Sequence, residues 1–215
     1  MVAVAMAVTG VSVAGAARTS DFRDEFTTFD TRQWVKISRP FGHGVVDPAN
    51  ISVSNGLLGL RFPAGKLDGA EMRTNNVYRW GTYRARMKVA DAPGSLTAFF
   101  LYKKPDYAQE IDIEIFNDSS RKVMYSTYSG GRQTHTVTAE LPFDATADFH
   151  EYAIEYLQGS VRFLVDGVEQ QRWTDGVTKS TMYLFVNGWF PSWLTGETPT
   201  TDRTTLVDWA QFVAR

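Results

Sequence analysis

Thirteen short runs rich in β-branched and aromatic residues follow one another from "WVKIS" (34–38) to "TLVDWAQFVA" (205–214), and beyond Phe22 no stretch keeps a helical period. Turn signals part them, among them Asn55-Gly56, Gly130-Gly131 and Asp166-Gly167, the last reading as a tight hairpin. Strands this short and this evenly spaced predict an all-β sandwich of two antiparallel sheets. In "TYRARMKV" the residues Tyr83, Ala85, Met87 and Val89 alternate with Arg84, Arg86 and Lys88, the period of a strand with one buried and one solvated face.

At 215 residues the chain suits a single sandwich domain, and 43% hydrophobic residues supply a core for it. A net charge of -2 without any cluster of Lys and Arg argues against a nucleic-acid partner. The absence of cysteine excludes disulfides and thiolate metal sites. The opening "MVAVAMAVTGVSVAGAA" is apolar, small and uncharged, and reads as a secretory segment cleaved near Ala16 or Ala17, although a basic start is missing. A buried strand or a membrane anchor is the competing reading, but the run is short for a span. The expectation is therefore a leader over residues 1–17, a single domain over 18–215, a secreted protein and no membrane partner.

"QEIDIEIFND" (109–118) sets Glu110, Asp112 and Glu114 on one face of a strand and Ile111, Ile113 and Ile115 on the other. Like charges so close repel, and burial raises carboxyl pKa values, so the arrangement costs stability and suggests a use. Three readings compete. A cation site is disfavoured because calcium recruits oxygens from loops that wrap it. A solvated acidic stripe is the bland alternative. Glycoside hydrolysis is the third, with one carboxyl attacking the anomeric carbon and another protonating the leaving oxygen. Residues i and i+4 of a strand have Cα atoms about 13 Å apart, a gap two inward-leaning Glu side chains can narrow. The central Asp then holds the two pKa values apart, and the spacing alone leaves open which Glu attacks.

The motif resembles that of glycoside hydrolase family 16, whose jelly-roll members carry Glu-x-Asp-x-Glu on a strand in a concave cleft. The uninterrupted "EIDIE" is similar to the form in lichenases and xyloglucan transglycosylases. The resemblance extends through "DEFTTFDTRQW", "AEMRTNNVYRWGTYRARMK", "FHEYAIEYLQGSVRFLVDGV", "NGWFPSWL" and "VDWAQFVAR". It implies a jelly-roll β-sandwich with a concave substrate cleft, Glu110 as nucleophile, Asp112 as its helper and Glu114 as acid/base. It further implies a substrate-binding set of Phe41, His43, Glu71, Arg73, Phe100, Tyr128, Trp189 and Trp193, with Arg73 binding sugar hydroxyls or steadying the nucleophile. A structural calcium ion is implied at Asp208, joined by backbone oxygens near Gly56 and the "EFTTF" turn.

The chain departs from the lichenase pattern at Ala108, where those enzymes carry a Trp, at Val186, which aligns with another cleft Trp, and at Ser126 in place of an Asn. The function expected is that of a monomeric retaining endo-β-glucanase without organic cofactor, acting on mixed-linkage β-1,3-1,4-glucan. A β-1,3-glucanase or a transglycosylase of the same family is the alternative within the enzymes. A non-catalytic carbohydrate-binding jelly roll is the alternative outside them.

Overall fold

The structure, a computed structural model, describes residues 20–215; the leader expected over residues 1–17 lies outside the described residues. All thirteen runs contribute strands. One sheet has the order β12 (Arg132–Glu140), β11 (Lys122–Ser129), β10 (Gln109–Phe116), β9 (Leu96–Tyr102), β16 (Tyr183–Trp189), β7 (Ala70–Thr74), β2 (Trp34–Lys36). The other runs β15 (Val168–Trp173), β14 (Ser160–Val165), β13 (His150–Leu157), β8 (Gly81–Lys88), β17 (Arg203–Ala214), β6 (Leu57–Phe62), β5 (Ile51–Ser54), with β1 (Phe22–Asp24) also paired to β17. Every strand pair in both sheets is antiparallel, as the sandwich reading requires.

Period two decides what lies between the sheets. Ile111, Ile113 and Ile115 of β10 are fully buried and share a core with Phe99, Leu101, Tyr83, Ala85 and Met87. Each such side chain removed from water stabilises the fold by roughly 1.5–3 kcal/mol if aliphatic or phenyl. The opposite face of β8 is charged as expected, and there Arg84 pairs with Glu151 at 3.3 Å. Strand β7 carried no such alternation, because Glu71 and Thr74 are buried beside Ala70 and Met72.

A separate hairpin of β3 (Arg39–Phe41) and β4 (Gly44–Val46) leans on the end of β16. Its turn residue Gly42 has φ +62°, and a Cβ there would lie 1.9 Å from the Phe190 carbonyl oxygen. Glycine therefore permits the close approach in which the His43 N–H donates to that same oxygen at 2.8 Å. This docking brings Phe41 onto Trp189 and so builds one wall of the cleft described below.

Asp208 is the extra residue at a register shift in β17 between Val207 and Trp209. Its carboxylate accepts from Arg86 Nη1 at 2.6 Å, so the position already holds a cation. Among the described residues no group of three His, Cys, Asp or Glu side chains is placed to hold a metal ion. A calcium ion at this carboxylate would have to displace Arg86 from it. The expected result is a Tm that neither millimolar calcium nor a chelator moves. A calcium-dependent rise of several degrees in a thermal melt would show that the ion displaces Arg86.

Candidate active site

The outer face of the seven-stranded sheet carries a cleft of about 520 Å³. Strand alternation brings Glu110, Asp112 and Glu114 to its floor, and the cross-strand register arranges everything else in rows. Glu110 lies between Tyr102 and Tyr128, Asp112 between Phe100 and Ser126, and Glu114 between Ala98 and Met124. Across β9 the rows continue into β16, Phe100 facing Phe185 and Ala98 facing Asn187. A bulge at Thr127/Tyr128 re-aims Tyr128, whose hydroxyl accepts from Gln133 Nε2 at 2.9 Å.

All three carboxyls are pushed toward the protonated form. Burial is the main cause at Glu110, with repulsion from Glu114 and Asp106 added, and together they push it up to about 8. Burial alone pushes Glu114 up to about 7. Asp112, which is 5% exposed, is raised well above the usual range by burial and then by Glu110 and Glu114. Its Oδ1 has no hydrogen-bond partner, which suits a carboxyl retaining a proton better than a carboxylate. The cluster thus shares protons near neutrality, and its titration steps belong to the group of three.

These shifts set the sign of a stability effect. A carboxyl whose folded pKa exceeds its unfolded value binds protons preferentially in the native state. Its favourable contribution is present at low pH and is lost as pH rises from about 4 toward the folded value. Glu114→Gln is therefore expected to match the parent Tm near pH 4 and to exceed it at pH 8 by several degrees, at about 2–4 °C per kcal/mol for a domain of this size. Equal melts at both pH values would show that Glu114 is not desolvated.

The substrate-binding residues expected from the sequence divide into two groups. Phe41, Phe100, Tyr128, Trp189 and Trp193 line the cleft. Phe100 stacks on Phe185 at 4.9 Å, Phe41 stacks on Trp189 at 4.0 Å, and Trp193 stands 53% exposed. Since Phe41 covers one face of Trp189, Trp193 is the freer platform for a sugar ring.

His43, Glu71 and Arg73 are not among the lining residues. His43 Nε2 is 2.9 Å from the Leu194 carbonyl oxygen and braces the loop that carries Trp193. Arg73 donates to the Thr74 carbonyl and lies over the Tyr183 ring at 4.2 Å. Glu71 is 1% exposed, with Arg39 Nε and Nη2 donating to its two oxygens at 3.0 and 2.9 Å. Arg39 therefore takes the place expected of Arg73: it lines the cleft and its charge opposes the upward shift of Glu110.

Val186 does not occupy a cleft position either. It is fully buried in the core, and its neighbour Asn187 points to the cleft instead. The loop of Asp106 and Tyr107 also borders the cleft. The Tyr102 hydroxyl donates to Asp106, and Tyr107, at φ 62° and 57% exposed, stands beside Tyr128 with ring centroids 5.5 Å apart. Tyr107 and Trp193 thus offer aromatic surface along a cleft whose floor is acidic.

The family model that matches residues 43–211 is "Glycosyl hydrolases family 16". A β-glucanase of Paenibacillus macerans is 31% identical over 181 residues, which cover 79% of this chain and 76% of that protein. Among solved structures, a β-1,3-1,4-glucanase (lichenase) derived from a mouse hindgut metagenome superposes with a TM-score of 0.82 at 29% identity, covering 92% of this chain and 100% of the other. The Bacillus licheniformis β-glucanase shares the fold with a TM-score of 0.84 at 24% identity, over 92% of this chain and 99% of that one.

Proposed function

The chain belongs to the glycosyl hydrolases family 16, and from that premise we propose that it is a retaining endo-β-glucanase acting on mixed-linkage β-1,3-1,4-glucan. The observation that carries the reading is the row of Glu110, Asp112 and Glu114 along the floor of an open cleft between aromatic side chains. Such a floor suits a neutral polymer whose rings stack on Tyr107 and Trp193 while its glycosidic oxygens pass over the acids.

In the first step Glu110 attacks the anomeric carbon as the bond to the leaving sugar breaks, and the Glu114 proton moves to the departing oxygen. In the second step Glu114 takes a proton from water, the water oxygen bonds to the anomeric carbon, and the ester to Glu110 breaks. Asp112 holds a proton between its neighbours and limits the charge that builds on the strand. The step needs no organic cofactor, and one chain supplies every group in it, so we read the protein as a monomer. A polymer of this size is met outside the cell, which agrees with export.

The test is reducing-sugar release from barley mixed-linkage glucan, laminarin, xyloglucan, carboxymethylcellulose and agarose, with Glu110→Gln as the blank. Release confined to mixed-linkage glucan supports the reading. Preference for laminarin moves the substrate to β-1,3-glucan. New, longer products on adding an oligosaccharide acceptor indicate transglycosylation, and silence on all five polymers points to a binding role or to a polysaccharide outside the panel.

A further inference from the structure

Cleavage by two displacements works with one arrangement of protons on the acid row, Glu110 ionised to attack and Glu114 protonated to donate. The surroundings of the two glutamates are not alike. Glu114 lies between Ala98 and Met124, neither of which favours a charge. Among the described residues that line the cleft, Arg39 alone is a cation, set against Asp106, Glu110, Asp112 and Glu114.

The Arg39 guanidinium is held in one place. Its Nε and Nη2 donate to Glu71 at 3.0 and 2.9 Å, it lies 3.9 Å from the centre of the Phe41 ring, and Phe41 in turn stacks on Trp189. Glu71 is buried and does not line the cleft, whereas the Arg39 side chain does and is 44% exposed. The ion pair therefore presents its positive end to the acids. Glu110 is faced by Asp112 and Glu114 on its own strand, Tyr102 on β9, Tyr128 on β11, Asp106 in the preceding loop, and Arg39 with Glu71 behind it. Against burial and the repulsion of Glu114 and Asp106, Arg39 favours the ionised form of Glu110 and outweighs Glu71. Burial and Asp106 raise Tyr102, the cross-strand partner of Glu110, and Arg39 opposes them there too. At Glu114 burial acts alone, without a contribution from Arg39.

Resting on the retaining β-glucanase reading, we propose that Arg39 is a positioning residue: held by Glu71 with its charge toward the cleft, it draws the negative charge of the acid row onto Glu110 and so fixes which of the two glutamates attacks. The consequence for turnover has a definite sign. Starting from the protonated pair, the active form requires only that Glu110 lose its proton. Starting from the ionised pair, it requires only that Glu114 regain one. Arg39 assists the first change and not the second. Its loss lowers kcat/KM on the acid side of the maximum and leaves the alkaline side in place, so the maximum becomes lower and more alkaline.

The test compares pH profiles of kcat/KM on barley mixed-linkage glucan for the parent, Arg39→Met, Arg39→Lys, and Arg39→Met combined with Glu71→Gln. Arg39→Met is expected to lose about three- to tenfold on the acid side, the change that about half to one unit in the ionisation of Glu110 gives. Arg39→Lys, which keeps the charge, is expected to recover most of that loss. The double variant leaves no buried carboxylate unpaired and carries the comparison if Arg39→Met fails to fold. Its acid side also falls, by less, because the opposing charge of Glu71 has gone with Arg39. An acid side that stays in place, or a loss shared equally by both sides, overturns the inference alone, since a lost sugar contact or a damaged fold lowers both sides together. A parent that releases no reducing sugar from the glucan overturns the β-glucanase reading and the inference with it.

Discussion

Glu110→Ala lowers kcat on the polysaccharide by about 10²–10⁴ or more, the contribution expected of a positioned catalytic group. The fold does not suffer, because the change relieves repulsion among three buried acids. Removing a nucleophile leaves a space at the anomeric carbon that a small anion can fill. With an activated aryl glycoside and azide, the variant is therefore expected to release an α-glycosyl azide, since azide attacks once and inverts the centre. Polysaccharide turnover within tenfold of the parent, or rescue giving the β-azide, would deny Glu110 its role.

Glu114→Ala separates the two steps. On the polysaccharide, whose leaving sugar needs a proton, kcat/KM falls by about 10²–10⁴. On an aryl glycoside with a good leaving group the first step proceeds without the acid, and azide, which needs no base, then gives the β-glycosyl azide. The pH profile changes as well. The parent is active in the form with Glu110 ionised and Glu114 protonated, which the higher value at Glu110 makes the less populated of the two singly ionised forms. Its kcat/KM therefore rises and falls around a maximum between about 7 and 8, the values to which Glu114 and Glu110 are raised. Without Glu114 the alkaline fall disappears on the aryl substrate. An unchanged bell would place the acid elsewhere, with Asp106, which also repels Glu110 from the cleft wall, as a candidate.

What could be read from the sequence is what a period of two fixes. The alternation in "EIDIEIF" identifies a strand, buries its isoleucines and puts its acids on one face, and the structure has them so. The same alternation was available in "TMYLFVN". Met182, Leu184 and Val186 enter the core, while Phe185 and Asn187 face the cleft. Alignment with a lichenase tryptophan pointed to Val186, one residue from the cleft-facing side chain, and in a strand a slip of one residue reverses the face. The strand's own pattern was the better guide.

The contacts that tune the site were not legible, because they join residues far apart in the chain. Arg39 reaches Glu71 across 32 positions and Asn187 reaches it across 116. The pairing itself leaves no mark: nothing in "SRPFGHG" shows a partner for Arg39, and "EMR" offers Arg73 as the obvious neighbour of Glu71. Only the docking of the β3–β4 hairpin through Gly42 makes Arg39, and not Arg73, the cation near Glu110. Likewise the short loop before β10 brings Asp106 against Tyr102, a contact that depends on loop path and not on residue pattern.

The central claim is that Glu110 becomes covalently linked to the sugar. A 2-deoxy-2-fluoro β-glucan oligosaccharide with a good leaving group slows both steps, and its electronegative fluorine slows release of the intermediate enough to collect it. Incubation followed by proteolysis and peptide mass spectrometry is expected to find one added fluoro-oligosaccharide on the peptide containing "EIDIE", with fragmentation locating it at Glu110. An adduct on Glu114, or none from a protein that still hydrolyses glucan, would contradict the account.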